Sequence, residues 1–202
     1  MKQLQTRAFV GSVVAIALLA FVAPAWAHEG AHGAGGFTAG LLHPILGWDH
    51  VVAMVAVGLW GACLGGPARW MLPVLFPLVM ASGAALGMAG IVLPGVEAGI
   101  AASAIVLGGA VLAALRAPVP VAMLVVGAFA VCHGHAHGTE LPHTANAVTY
   151  GAGFVAATSL LHLAGLGIGG LVRWPAGRIA VRALGGAIAL TGAGFLARVV
   201  LV

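Results

Sequence analysis

Six apolar runs separated by short breaks rich in glycine, proline and arginine set the limits on what this chain can fold into. The runs fall at about 44–65, 71–93, 97–115, 119–139, 146–170 and 179–200. A helix of about 20 apolar residues spans the hydrocarbon core of a bilayer. Only 6% of the 202 residues are charged, against about 25% in a water-soluble domain. So few charges cannot cover a soluble surface. In lipid every backbone polar group must be satisfied internally, and helices do this within one segment. The expected fold is therefore all-α: a polytopic transmembrane bundle of six mature helices in contact with the lipid bilayer.

Residues 1–27 have the form of a secretory signal. Lys2 and Arg7 precede the apolar stretch Ala8 to Val22, and Pro24-Ala25-Trp26-Ala27 ends in a small-x-small pattern. The expected organisation is a cleaved signal over 1–27 and one transmembrane domain over 28–202. Arg69, Arg116, Arg173 and Arg178 lie in the first, third and fifth breaks, and Arg182 follows just inside the last run. The second and fourth breaks hold no Lys or Arg. The positive-inside rule then places the odd breaks in the cytoplasm and the mature N-terminus outside, in an inner (cytoplasmic) membrane. The formal net charge of +4 comes from basic residues scattered singly, so no nucleic-acid surface is expected. Small-x3-small pairs such as Gly83/Gly87, Gly134/Gly138 and Gly165/Gly169 allow close helix contact. Internal packing is the preferred reading of them, and a homo-oligomer stays open. Cys63 and Cys132 are expected at opposite ends of their helices, out of reach of a disulfide.

Against this apolar background the nine histidines and four acidic residues stand out. The mature N-terminus reads His28-Glu29-Gly30-Ala31-His32. The first run begins His43-Pro44-Ile45-Leu46-Gly47-Trp48-Asp49-His50. The fourth ends Cys132-His133-Gly134-His135-Ala136-His137-Gly138-Thr139-Glu140, with His143 just beyond. At about 100° per residue, His133, His137 and Glu140 share one helix face and His135 points away. His43 and His50 also share a face, but lie about 10 Å apart on a continuous helix. Pro44 and Gly47 offer a break that would bring them together. An acidic residue near mid-membrane costs about 2.5–3.5 kcal/mol on the insertion scale, and is kept where it is paired or serves a pathway.

Imidazole with carboxylate suits Ni, Co, Zn, Cu or Fe rather than Mg or Ca. The expected metal ligands are His43, Asp49, His50, His133, His137 and Glu140, with His28, His32, His135 and His162 as weaker candidates. Glu97 fits a helix-dipole contact at the start of its run. Two other functions use the same residue types: a haem-binding electron-transfer protein and a membrane enzyme that activates metal-bound water.

His43-x5-Asp49-His50 and His133-Gly134-x-Ala136-His137-Gly138-x-Glu140 resemble the two motifs of the HupE/UreJ family, the hydrogenase and urease accessory permeases. The likeness extends to the signal, the six helices and the overall length. Cys132 departs from the pattern, since an aromatic residue usually precedes His-Gly there. The resemblance implies uptake of nickel, in some members cobalt, for metalloenzyme maturation. It implies a transporter without catalysis, with Ni²⁺ or Co²⁺ as transported ion and no tightly bound cofactor. It carries the ligand role to His43, Asp49, His50, His133, His137 and Glu140.

Overall fold

The computed structural model of the protein describes residues 36–141 and 145–201. The signal segment, His28, His32 and His143 lie outside the described residues. The elements are α1 (Phe37–Leu46), α2 (Trp48–Leu64), α3 (Ala68–Met88), α4 (Val96–Leu112), α5 (Val119–Thr139), α6 (Ala147–Gly169), a 3-10 turn (Gly170–Arg173) and α7 (Pro175–Leu201). The described residues contain helices and no strand, as the composition requires.

Four helices, α3, α5, α6 with its 3-10 extension, and α7, are long and apolar enough to cross a membrane. The pair α1–α2 adds a fifth span, bent by 84°. The remaining helix, α4, has 17 residues, about 25 Å of rise. Each apolar run of the sequence is thus helical. The first begins earlier than expected, at Phe37, and it is broken at Gly47. Gly47 has extended backbone angles (φ −84, ψ 104), and its N–H donates to the His43 carbonyl at 3.3 Å. The break that Pro44 and Gly47 offered thus falls at Gly47, and the run lies in two helices meeting at a corner.

At the centre stands α2. It touches α1, α3, α4, α6 and α7, and from Val52 to Ala62 only Val55 is not fully buried. A helix apolar all round belongs inside. Its neighbours approach through glycine notches. The Cα of Gly58 packs on the His162 carbonyl, and Gly165 on that of Val55, which brings α6 against α2. Gly83 and Gly87 face α5 backbone, while Gly134 and Gly138 face α3 backbone. Without a hydrophobic drive in lipid, such close packing is what holds helices together.

Arg69 lies beside Gly61, and Arg182 Nε donates to the Leu112 carbonyl at 2.7 Å. Trp60 Nε1 donates to the Leu115 carbonyl at 3.1 Å, next to Arg116. The Arg173 guanidinium stacks over Trp174 at 4.4 Å. These arginines gather where α2, α4 and α6 end and where α3, α5 and α7 begin. The histidines of α1, α2 and α5 gather at the opposite end of α2.

Candidate metal centre

The corner at Gly47 builds the site. It turns α1 away from α2, so that His43 in the last turn of α1 comes above His50 in the first turn of α2. Helix α5 delivers His133 and His137 one turn apart, about 6 Å along its axis, and Glu140 just past its end. A row of ring contacts results. His43 Nε2 lies 3.1 Å from His137 Nδ1. His137 Nε2 lies 3.2 Å from His50 Nδ1. His50 Nε2 reaches Thr158 Oγ1 at 3.2 Å. Glu140 Oε2 is 3.4 Å from both His43 Nε2 and His137 Nδ1.

Two candidate ligand groups follow. His43, His137 and Glu140 form an outer group open to solvent, and His50, His133 and His137 form an inner one. Within each, one donor atom per residue lies within 4.8 Å of the others. Two nitrogens bound to one ion at about 2.1 Å stand roughly 3.0 to 3.4 Å apart, depending on the bond angle. The spacings of 3.1 and 3.2 Å match that range. His50 and His133 are each only 1% exposed. Phe154 closes the side of the cluster, its ring centroid 4.6 Å from that of His137 and 5.1 Å from that of His50.

Surrounding hydroxyls fix the rings. Ser103 Oγ donates to the Ile100 carbonyl at 2.6 Å, so its lone pairs accept from His133 Nε2–H at 3.0 Å. His133 is then left with its Nδ1 lone pair for the cluster. Holding a ligand's tautomer through its other nitrogen is a recurring device of metal sites. Glu140 takes hydrogen bonds from His137 and then His43. These hold its carboxyl far below the ordinary carboxylate range against the opposing effect of partial burial.

The remaining residues singled out in the sequence are placed as follows. Asp49 stands outside both groups: its Oδ1 accepts the His50 backbone N–H at 2.8 Å, which secures the first turn of α2. His135 is turned toward α3 and bonds the Ile91 carbonyl at 2.7 Å. His162 is buried one turn below Thr158. Glu97 lies in the first turn of α4, as the dipole reading expects. Ser103 and Thr158 escaped sequence reasoning, although both carried a signal. Ser103 is the one hydroxyl in α4, and Thr158 precedes His162 by four residues, on the same face.

The sequence matches the HupE / UreJ protein family over residues 16–195. The chain belongs to the HupE/UreJ family. Protein HupE of Rhizobium leguminosarum bv. viciae is 50% identical over 181 residues, covering 90% of this chain and 94% of that protein. No solved structure matches the chain. The two histidine segments that carried the resemblance, some 90 residues apart in sequence, are the ones that the bent first span and α5 bring into contact. Membership and the apolar helices together make this a multi-pass membrane protein.

Proposed function

We propose that this chain is a secondary uptake permease for a divalent transition metal, Ni²⁺ first and Co²⁺ second, that supplies hydrogenase or urease maturation. The carrying observation is that the His137 ring has one nitrogen in each ligand group: Nδ1 beside His43 and Glu140, Nε2 beside His50. A neutral imidazole has a single lone pair. His137 can therefore serve one group at a time. With the lone pair on Nδ1, the ion is held by His43, His137 and Glu140, and Nε2–H donates to His50. With the lone pair on Nε2, the ion is held by His50, His133 and His137, and Nδ1–H donates to the Glu140 carboxylate. One proton changing sides of one ring moves the ion inward by a site.

The donor sets also favour passage. The outer group supplies a carboxylate, which attracts a hydrated dication. The inner group is neutral, so it binds reversibly, and a site must release its ion in order to conduct. The arginines at the far end support the cluster facing outward. Two charges falling through about 100 mV, inside negative, release about 4.6 kcal/mol, and no ATP is required. Crossed rings with centroids 5.0 Å apart leave no slot for a porphyrin between His50 and His137, which argues against the haem reading.

The test is uptake into proteoliposomes holding the purified chain, with an imposed inside-negative potential and Ni²⁺, Co²⁺ or Zn²⁺ outside. Accumulation of Ni²⁺ that collapses with the potential supports the proposal. No uptake above protein-free vesicles for any of the three overturns it.

A further inference from the structure

Below the three-histidine group lies one more imidazole with nothing to do. His162 on α6 is 1% exposed. Among the described residues neither of its ring nitrogens has a hydrogen-bond partner. Buried polar groups are almost always paired, and an exception calls for a reason. Packing alone is a poor one, since a leucine would fill the space without a polar penalty.

The surroundings supply the reason. Helix α3 contains Pro73 and Pro77. Pro77 has no N–H, so the Pro73 carbonyl four residues earlier loses its helical partner. That freed oxygen lies beside the His162 ring, outside hydrogen-bond distance and angle. Thr158 stands one turn above His162 on α6, and its hydroxyl already touches His50. Phe76, fully buried, sits between the levels: its ring centroid is 5.7 Å from that of His133 and 5.4 Å from that of His162. The axial step from Thr158 to His162 is about 6 Å, toward the end where the arginines gather.

We propose that His162 is an inner transfer ligand for the metal ion, which passes Phe76 from the three-histidine group and is held by the His162 imidazole with the Thr158 hydroxyl and the Pro73 carbonyl. This rests on the permease reading above. The donor sets then weaken along the path. Two imidazoles with a carboxylate give way to three imidazoles, and these to one imidazole with neutral oxygens. A weak last station releases its ion, and carbonyl oxygens freed from a helix are a usual lining for such paths.

The experiment compares wild type, His162→Leu and His162→Cys in proteoliposomes, measuring Ni²⁺ and Cd²⁺ flux and, separately, Ni²⁺ bound at equilibrium to the detergent-solubilised chain. Loss of a partner one shell removed from a metal costs about 10- to 100-fold, and a direct ligand should cost no less. His162→Leu should lower Ni²⁺ flux at least tenfold on that basis, while equilibrium binding stays within about twofold because the upper groups are intact. His162→Cys replaces imidazole with a soft thiol, so its Cd²⁺-to-Ni²⁺ flux ratio should rise by about fivefold or more. That ratio does not depend on how much protein folds. A His162→Leu flux equal to wild type, or a His162→Cys ratio equal to wild type, overturns the inner station while leaving the permease standing. A wild type that carries no ion removes both.

Discussion

Replacing Gly134 with alanine tests whether helix packing places the histidines. The new Cβ would run into the Met80 carbonyl oxygen and stand 2.8 Å from the Met80 carbonyl carbon and 2.9 Å from the Ala84 nitrogen. All three are backbone atoms of α3 and cannot rotate aside. The carbonyl oxygen sets the demand: ordinary contact needs about 3.2–3.5 Å, so α3 and α5 must part by well over about 1 Å. Overpacking of this kind costs about 1–3 kcal/mol. The cost to function should be larger. His137 lies three residues on, and a shift of that size carries its Nε2 from 3.2 Å beyond hydrogen-bond distance of His50. Metal–ligand distances tolerate only about 0.2 Å. Gly134→Ala should therefore lower the melting temperature in detergent and reduce Ni²⁺ uptake at least about tenfold. Gly127, two turns earlier on the same helix, is the control. Its Cβ would meet only Leu75 Cδ2, at 3.9 Å. Gly127→Ala should leave uptake unchanged and add about 0.5–1 kcal/mol of helix stability. Wild-type stability and uptake in Gly134→Ala would refute this reasoning.

The ligand groups make distinct predictions for uptake measured against Ni²⁺ concentration. His137→Ala should abolish it, because both groups lose a member. Glu140→Gln should mainly raise the concentration needed for half-maximal uptake, since it weakens capture. His133→Ala should instead lower the maximal rate. Ser103→Ala leaves every ligand in place but frees the His133 ring, and a drop of about tenfold or more is expected from an orienting partner. Ligand imidazoles must be unprotonated, so lowering the pH from about 7.5 to about 5.5 should never raise uptake. Glu140, whose carboxyl is depressed by His137 and His43, keeps its charge throughout that window. Its stabilising contribution is present above the ordinary carboxylate range and is lost only as pH falls well below it. Uptake that rose over that window would count against histidine ligation.

Much of the fold was legible because lipid leaves few choices. Charge-poor runs must be helices, and Gly/Pro/Arg breaks mark their ends. The lipid-facing sides of α3 and α7 need no specific partner, so composition was enough to read them. The pairing of the two histidine segments was legible from their residue types, and the His133, His137, Glu140 face from helical periodicity. The corner at Gly47 was only half legible. Pro44 and Gly47 mark a weak point, but the 84° bend depends on α1 packing against Tyr150 and Gly153 of α6, a contact without a local signal. Asp49 takes a place that its residue type did not announce. Its motif position suggested a ligand, and the structure shows one of its oxygens on the neighbouring amide, because a side chain in the first turn of a helix is well placed to satisfy a free N–H. Ser103 and Thr158 went unread because a hydroxyl in an apolar helix ordinarily bonds its own backbone. Only the tertiary structure aims these two at His133 and His50.

X-ray absorption at the nickel edge, on the purified chain loaded with one equivalent of Ni²⁺, addresses the shared cluster most directly. The account predicts a first shell containing two to three imidazole nitrogens, with outer-shell scattering from the rings, and the loss of at least one imidazole in His137→Ala. A shell of oxygen atoms alone, identical in wild type and His137→Ala, would contradict it.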